Sequence, residues 1–126
     1  MKAFEYGLLG YAETVVCESN TAKAMKSGSL DVFATPSMCA LMEEAACACI
    51  ADCLEDGSSS VGTNLSIRHE RASAIGRKIK ASAKLVKFEG RKLTFEVSAE
   101  DIYGPIGWGT HERFIIDVER FMKRLE

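Results

Sequence analysis

Pro36-Ser37-Met38-Cys39-Ala40-Leu41-Met42-Glu43-Glu44-Ala45-Ala46-Cys47-Ala48-Cys49-Ile50-Ala51-Asp52-Cys53-Leu54 reads as one long helix, apolar or small nearly throughout. At about 100° per residue, Glu44, Ala48, Ala51 and Glu55 share one face. Glu43 points away from that face, with Cys39, Cys47, Ile50 and Leu54. An ionised carboxylate among apolar side chains is costly unless it is paired, hydrogen-bonded or neutralised. That cost is tolerated most readily at sites that use the charge, so Glu43 is the first functional candidate. Thr35-Pro36 opens the helix: the threonine hydroxyl can serve as N-cap, and proline at the first helical position gives up only an orphan N–H. Glu55-Asp56-Gly57 and Ser58 to Ser60 are turn formers that close it.

Outward from the helix, the pattern changes to period two. Tyr11 to Cys17 reads as a strand ahead of the helix, and Thr21 to Leu30, small and polar, as a loop or short lid. After the helix, Val61 to Arg71 alternates, with Val61, Thr63, Leu65, Ile67 and His69 expected on one face. Ile79 to Lys87 places Ile79, Ala81, Ala83 and Leu85 together, and Phe88-Glu89-Gly90-Arg91 reads as a hairpin turn. Leu93, Phe95, Val97 and Ala99 form the buried face of the next strand, which Tyr103-Gly104-Pro105 breaks. Ile106 to Val118 sets Trp108, Thr110, Phe114 and Ile116 against His111 and Arg113, and Glu119 to Glu126 reads as a short amphipathic helix. A helix apolar nearly all round must be enclosed. The simplest enclosure for strand, helix and four antiparallel strands is an α+β hotdog fold: a curved antiparallel sheet wrapped around one long central helix. One domain, residues 1–126, is expected, with sheet edges that commonly pair in a homodimer.

The 126 residues carry 16 basic and 18 acidic side chains, net charge −2, with no basic stripe interleaved with aromatics, so no nucleic-acid partner is expected. Arg77, Lys78, Lys80 and Lys84 read first as a solvated strand face and otherwise as a phosphate contact. No apolar run reaches membrane-spanning length and no basic-then-apolar leader opens the chain, so no membrane partner and a cytoplasmic location are expected. Cys17, Cys39, Cys47, Cys49 and Cys53 are odd in number, and four of them fall within the one predicted helix, unlike a disulfide framework. They lack the turns and histidine partners of a zinc site, so neither a metal nor a cofactor is expected.

Three polar residues stand out by placement: Thr35 at the helix start, Glu43 about two turns on, and His69 on the following strand. A hydroxyl, a carboxylate and an imidazole can orient and activate water, or form a covalent intermediate, for acyl transfer. The N–H of Gly62 can meet a thioester carbonyl, and His111 and Arg113 can hold a carboxylate or phosphate. The plainer readings are an N-cap for Thr35, an arginine pair for Glu43, a structural imidazole for His69, relief of crowding at Gly62, and surface or interface positions for His111 and Arg113.

Val32-Phe33-Ala34-Thr35, Met38, Leu41-Met42-Glu43 and Ala45-Ala46-Cys47 are similar to the helix entry and catalytic helix of the hotdog thioesterases typified by fluoroacetyl-CoA thioesterase. Gly62-Thr63, Arg68-His69, Ala72, Glu89-Gly90-Arg91-Lys92-Leu93, Val97-Ser98-Ala99, Ile106-Gly107 and Gly109-Thr110-His111-Glu112-Arg113 extend the resemblance to about Val32 to Phe121. The resemblance implies hydrolysis of an acyl-CoA to free acid and CoA, with Thr35, Glu43 and His69 catalytic. It further implies that Gly62 lies by the substrate carbonyl and Arg113 at the acyl end. The family's aromatic lid residues have no counterpart in Ala24 to Leu30, and Pro36-Ser37 also departs from its pattern, so a short or medium acyl group without fluorine is expected. A non-catalytic acyl-CoA or small-ligand module of the same fold is the alternative. A hydratase is a third reading, but its His/Asp motif is absent.

Overall fold

The computed structural model describes residues 2–126. Its elements are β1 (Leu9–Val15), α1 (Thr35–Ile50) with a 3-10 turn at Ala51–Cys53, β2 (Ser58–His69), β3 (Lys78–Glu89), β4 (Lys92–Asp101), β5 (Gly104–Asp117) and α2 (Val118–Lys123). The five strands form one antiparallel sheet in the order β1-β3-β4-β5-β2, leaving β1 and β2 as its edges. The sheet curls around α1, and this is the hotdog arrangement.

The inward faces of β3 and β4 are those the alternation predicts: Ile79, Ala81, Ala83 and Leu85, then Leu93, Phe95, Val97 and Ala99, are all buried. They meet Met38, Met42, Ala45, Ala46 and Ile50 of α1 in one core. Each large side chain buried there contributes about 1.5–3 kcal/mol relative to exposure. Small residues set the depth of the helix. A methyl group on Gly10 of β1 would collide with the Ala45 carbonyl and the Cys49 backbone, so backbone lies directly on backbone there.

Several boundaries differ from the sequence reading. β1 ends at Val15 because Asn20 closes it: the Asn20 amide donates to the Val15 carbonyl at 3.0 Å and its side-chain oxygen accepts from Cys17 N–H at 2.8 Å. α1 stops at Ile50, and the expected last turn tightens to 3-10 geometry. The sheet does not enclose α1 on all sides: Ala40, Glu44, Cys47 and Ala48 are exposed. Alternation also breaks in β2. Gly62 pairs with Arg113 and Asn64 with Glu112, so Thr63 is the extra residue of a β-bulge. The bulge turns Val61 and Thr63 out of the face expected for them and sets Gly62 on the inward side with Leu65, Ile67 and His69.

On β5, His111 and Arg113 are the buried, inward pair, while Trp108 and Phe114 are 44% and 40% exposed on the outer face. α2 is capped by Asp117, whose carboxylate accepts from Arg120 N–H at 2.9 Å, but its Met122 stays exposed, as does Leu125 beyond it.

The segment after β2 is tied to the β4–β5 turn by one buried carboxylate. Asp101 accepts from Arg71 at 2.8 Å, Ser73 at 2.9 Å, Arg77 at 3.3 Å and the Tyr103 backbone N–H at 2.8 Å. Arg71 also donates to the Gly104 carbonyl at 2.7 Å. Burial alone would raise the Asp101 pKa, but the Tyr103 amide, Arg71 and Ser73 more than offset it and hold it at about 2. A folded pKa below the ordinary 3.8 means the anchor stabilises fully above that value and is lost as pH falls toward about 2. Asp101→Asn is expected to cost about 3 kcal/mol near neutral pH, because it leaves two arginines without their partner. Urea melts of wild type and variant should show that gap closing in acid.

Candidate active site

Thr35 is the first residue of α1, and the cap position falls to Ala34, whose backbone is extended and which offers no side-chain bond. Thr35 is therefore not the N-cap. Its hydroxyl, spared that work, lies 2.8 Å from His69 Nδ1 at the end of β2. Burial pushes the His69 pKa below its ordinary value, opposed by the nearby Arg71 backbone, so the ring is neutral near pH 7. Its other nitrogen, Nε2, is shielded and has no hydrogen-bond partner among the described residues; Ser37 Oγ, in the first turn of α1, shares that condition. Thr35 and His69 line an open cleft of about 210 Å³ that Ala22 and Ser27 of the lid segment also line.

Glu43 sits two turns further along α1, about 12 Å by helix rise, in a second cluster. Its side chain is 41% exposed, at the rim of the sheet rather than within the core as its apolar neighbours suggest. Arg113 Nη1 donates to Glu43 Oε2 at 3.4 Å. Arg113 is itself 6% exposed and well supplied with acceptors: Nε donates to Ser60 Oγ at 2.8 Å and Nη2 to the Ser60 carbonyl at 3.0 Å. The imidazole near Glu43 in the same chain is that of His111, with Nε2 at 3.9 Å from Oε2. No contact joins Glu43 to His69 or Thr35 among the described residues.

Gly62 makes room for this carboxylate. A Cβ there would lie 2.7 Å from Glu43 Oε2 and 3.3 Å from Arg113 Nη1. Cys39, one turn before Glu43, is not a nucleophile near neutral pH, since burial and then the Glu43 charge raise its pKa. No group of three His, Cys, Asp or Glu side chains could hold a metal ion among the described residues.

These residues lie in a chain whose positions 16–119 match the model of the fluoroacetyl-CoA-specific thioesterases. The chain belongs to that family. It is thus a member of a family of thioester hydrolases. Fluoroacetyl-CoA thioesterase of Streptantibioticus cattleyicolor is 43% identical over 91 residues, which cover 72% of this chain and 66% of that protein, just under two thirds of its length. A solved structure of fluoroacetyl-CoA thioesterase superposes with a TM-score of 0.93 at 33% identity, covering 98% of this chain and 96% of that one. A single-residue variant of that enzyme, in complex with fluoroacetate and CoA, superposes at 0.88 with 35% identity, over 94% and 99% of the two chains.

The inward placement of His111 and Arg113 escapes a polarity reading, because alternation on β5 puts the aromatic side chains together and makes the charged pair look external. The Gly-Thr-His-Glu-Arg motif is the signal that marks it. Gly62→Ala should leave the melting temperature within a few degrees of wild type, since this edge position has ordinary backbone geometry. Thioester turnover should fall at least about tenfold as the Glu43 carboxylate is displaced. Thermal denaturation beside a thiol-release assay checks both.

Proposed function

We propose that the chain hydrolyses short acyl-CoA thioesters to free acid and coenzyme A, with Glu43 as nucleophile and His69 as base. The supporting observation is that the carboxylate is pinned on one side. Arg113 holds Oε2, while Oε1 has no hydrogen-bond partner among the described residues. Oε1 attacks the thioester carbonyl carbon, the C–S bond breaks, and CoA leaves as a thiolate. A thiol of pKa near 8.5 needs no proton to depart. The resulting acyl-Glu43 anhydride is opened by water, whose proton passes to the His69 imidazole, releasing the acid and restoring the carboxylate. Thr35 fixes the imidazole through Nδ1, and in this reading the Gly62 backbone, which lies beside the Glu43 carboxylate, faces the carbonyl oxygen as it develops charge.

Glu43 and His69 stand apart within one chain, and the reading therefore includes a second copy. The uncovered small-residue face of α1 and the free β2 edge give two copies room to pair closely. His69 of the partner subunit would then supply the base for each Glu43. The lid segment, with Met25 and Leu30 exposed and no aromatic side chain, supports a small acyl group with no requirement for fluorine.

Glu43→Ala and His69→Ala should each lose about 100-fold or more of turnover while remaining folded. Mixed under subunit exchange, the two inactive variants should recover up to about a quarter of wild-type activity, because half the dimers then hold one intact site. Thiol release from acyl-CoA esters of increasing length reads the result. Saturable CoA-ester binding without turnover by wild type would favour a binding module. A mixture that stays inactive would place both residues in a site within one chain.

A further inference from the structure

Arg113 Nη1 faces two acceptors, Glu43 Oε2 at 3.4 Å and His111 Nε2 at 3.2 Å. His111 is 1% exposed, and its Nδ1 lies 2.8 Å from the Asn64 carbonyl of β2. A carbonyl can only accept, so Nδ1 carries the proton. In the neutral ring Nε2 is then a lone pair, the acceptor that the Arg113 N–H requires. The Phe95 ring of β4 stacks on the imidazole, centroids 6.0 Å apart, and walls it from water.

From this geometry we infer that His111 is a positioning residue: a neutral acceptor, fixed in one tautomer by Asn64, that aims Arg113 Nη1 at Glu43. The inference rests on the hydrolase reading above for its consequence, though not for its geometry. A carboxylate in the place of His111 would neutralise Arg113 and compete with Glu43 for it; a neutral acceptor orients the guanidinium and leaves its charge for Glu43. The charged groups facing the ring are Arg113 of β5 and Glu43 of α1. Glu112, beside it on β5, turns outward to Lys92 at 3.0 Å. Burial lowers the His111 pKa, the Asn64 bond opposes this, and the Arg113 charge lowers it further. The neutral form therefore persists below the ordinary 6.5. In stronger acid, a protonated Nε2 would turn a donor toward Arg113 and offer Glu43 a rival cation.

Two substitutions separate aiming from mere filling. His111→Gln carries an acceptor near the position of Nε2 and loses the bond to Asn64. His111→Asn keeps a donor near Nδ1 and has nothing that reaches Arg113. The Gln variant is expected to keep kcat within about threefold of wild type, while the Asn variant loses about 10–100-fold in kcat with little change in KM. Added to Glu43→Gln, the Asn substitution should cost little more, since the two residues act as one unit. Equal kcat for Gln and Asn, or losses that follow melting temperature alone, would overturn the assignment. Imidazole nitrogen NMR of wild type gives a readout independent of turnover: a neutral ring protonated at Nδ1 supports the inference, and an Nε2-protonated or charged ring at neutral pH refutes it. Wild type that cleaves no acyl-CoA would defeat the hydrolase reading and leave this spectroscopic result standing.

Discussion

Arg113 is a permanent cation taken almost wholly out of water, and such a group must find an acceptor for each direction in which it donates. Ser60 of the adjoining edge strand takes two of its five N–H groups, His111 takes one, and one goes to Glu43 at the rim. This requirement organises the site. The strand pairing of β5 with β2 brings Ser60 under the guanidinium. The bulge at Thr63 lets Gly62 share an inward face with His69, although an uninterrupted strand would set them on opposite sides. The absence of a side chain at Gly62 leaves the volume that the carboxylate occupies.

The frame beneath this network is rigid for a different reason. α1 touches β1 through Gly10 with no side chain between, and Ala45, Ala46, Ala81 and Ala83 keep the rest of the contact thin. Close packing of small residues fixes the height of the helix over the sheet more tightly than long, flexible side chains would. The distance between a helix-borne carboxylate and strand-borne donors is therefore set by the far side of the helix. At the other end of β2, the Asp101 anchor does the comparable work for the segment that follows His69.

Much of this was legible in the residues. The alternation of β3 and β4 follows from apolar side chains at every second position, and α1 from a glycine-free run rich in Ala, Leu, Met and Glu behind a proline. Glu43 is conspicuous because nothing around it is charged except its neighbour. What could not be read is whatever depends on long-range pairing. A bulge has no reliable local signature, so the face of Gly62 was invisible until the β5 register was known. The Thr35 hydroxyl has two local fates, cap or distant acceptor, and only the position of β2 decides between them. His111 and Arg113 look like surface residues because polarity ordinarily means exposure, and each is internal only because the other is there.

The lid segment closes most of its hydrogen bonds on itself. Ser27 N–H reaches the Ala22 carbonyl at 2.9 Å, Met25 N–H the Thr21 carbonyl at 2.9 Å, and Lys23 N–H the Leu30 carbonyl at 3.1 Å. None of these bonds involves Glu43, Arg113 or His69. A loop so self-contained can change its side chains without disturbing the machinery beneath it. On the proposed hydrolase reading, a selectivity set by this loop is uncoupled from the reactivity set beneath it, so that new substrates become reachable by drift in a few surface codons while the reacting groups stay as they are.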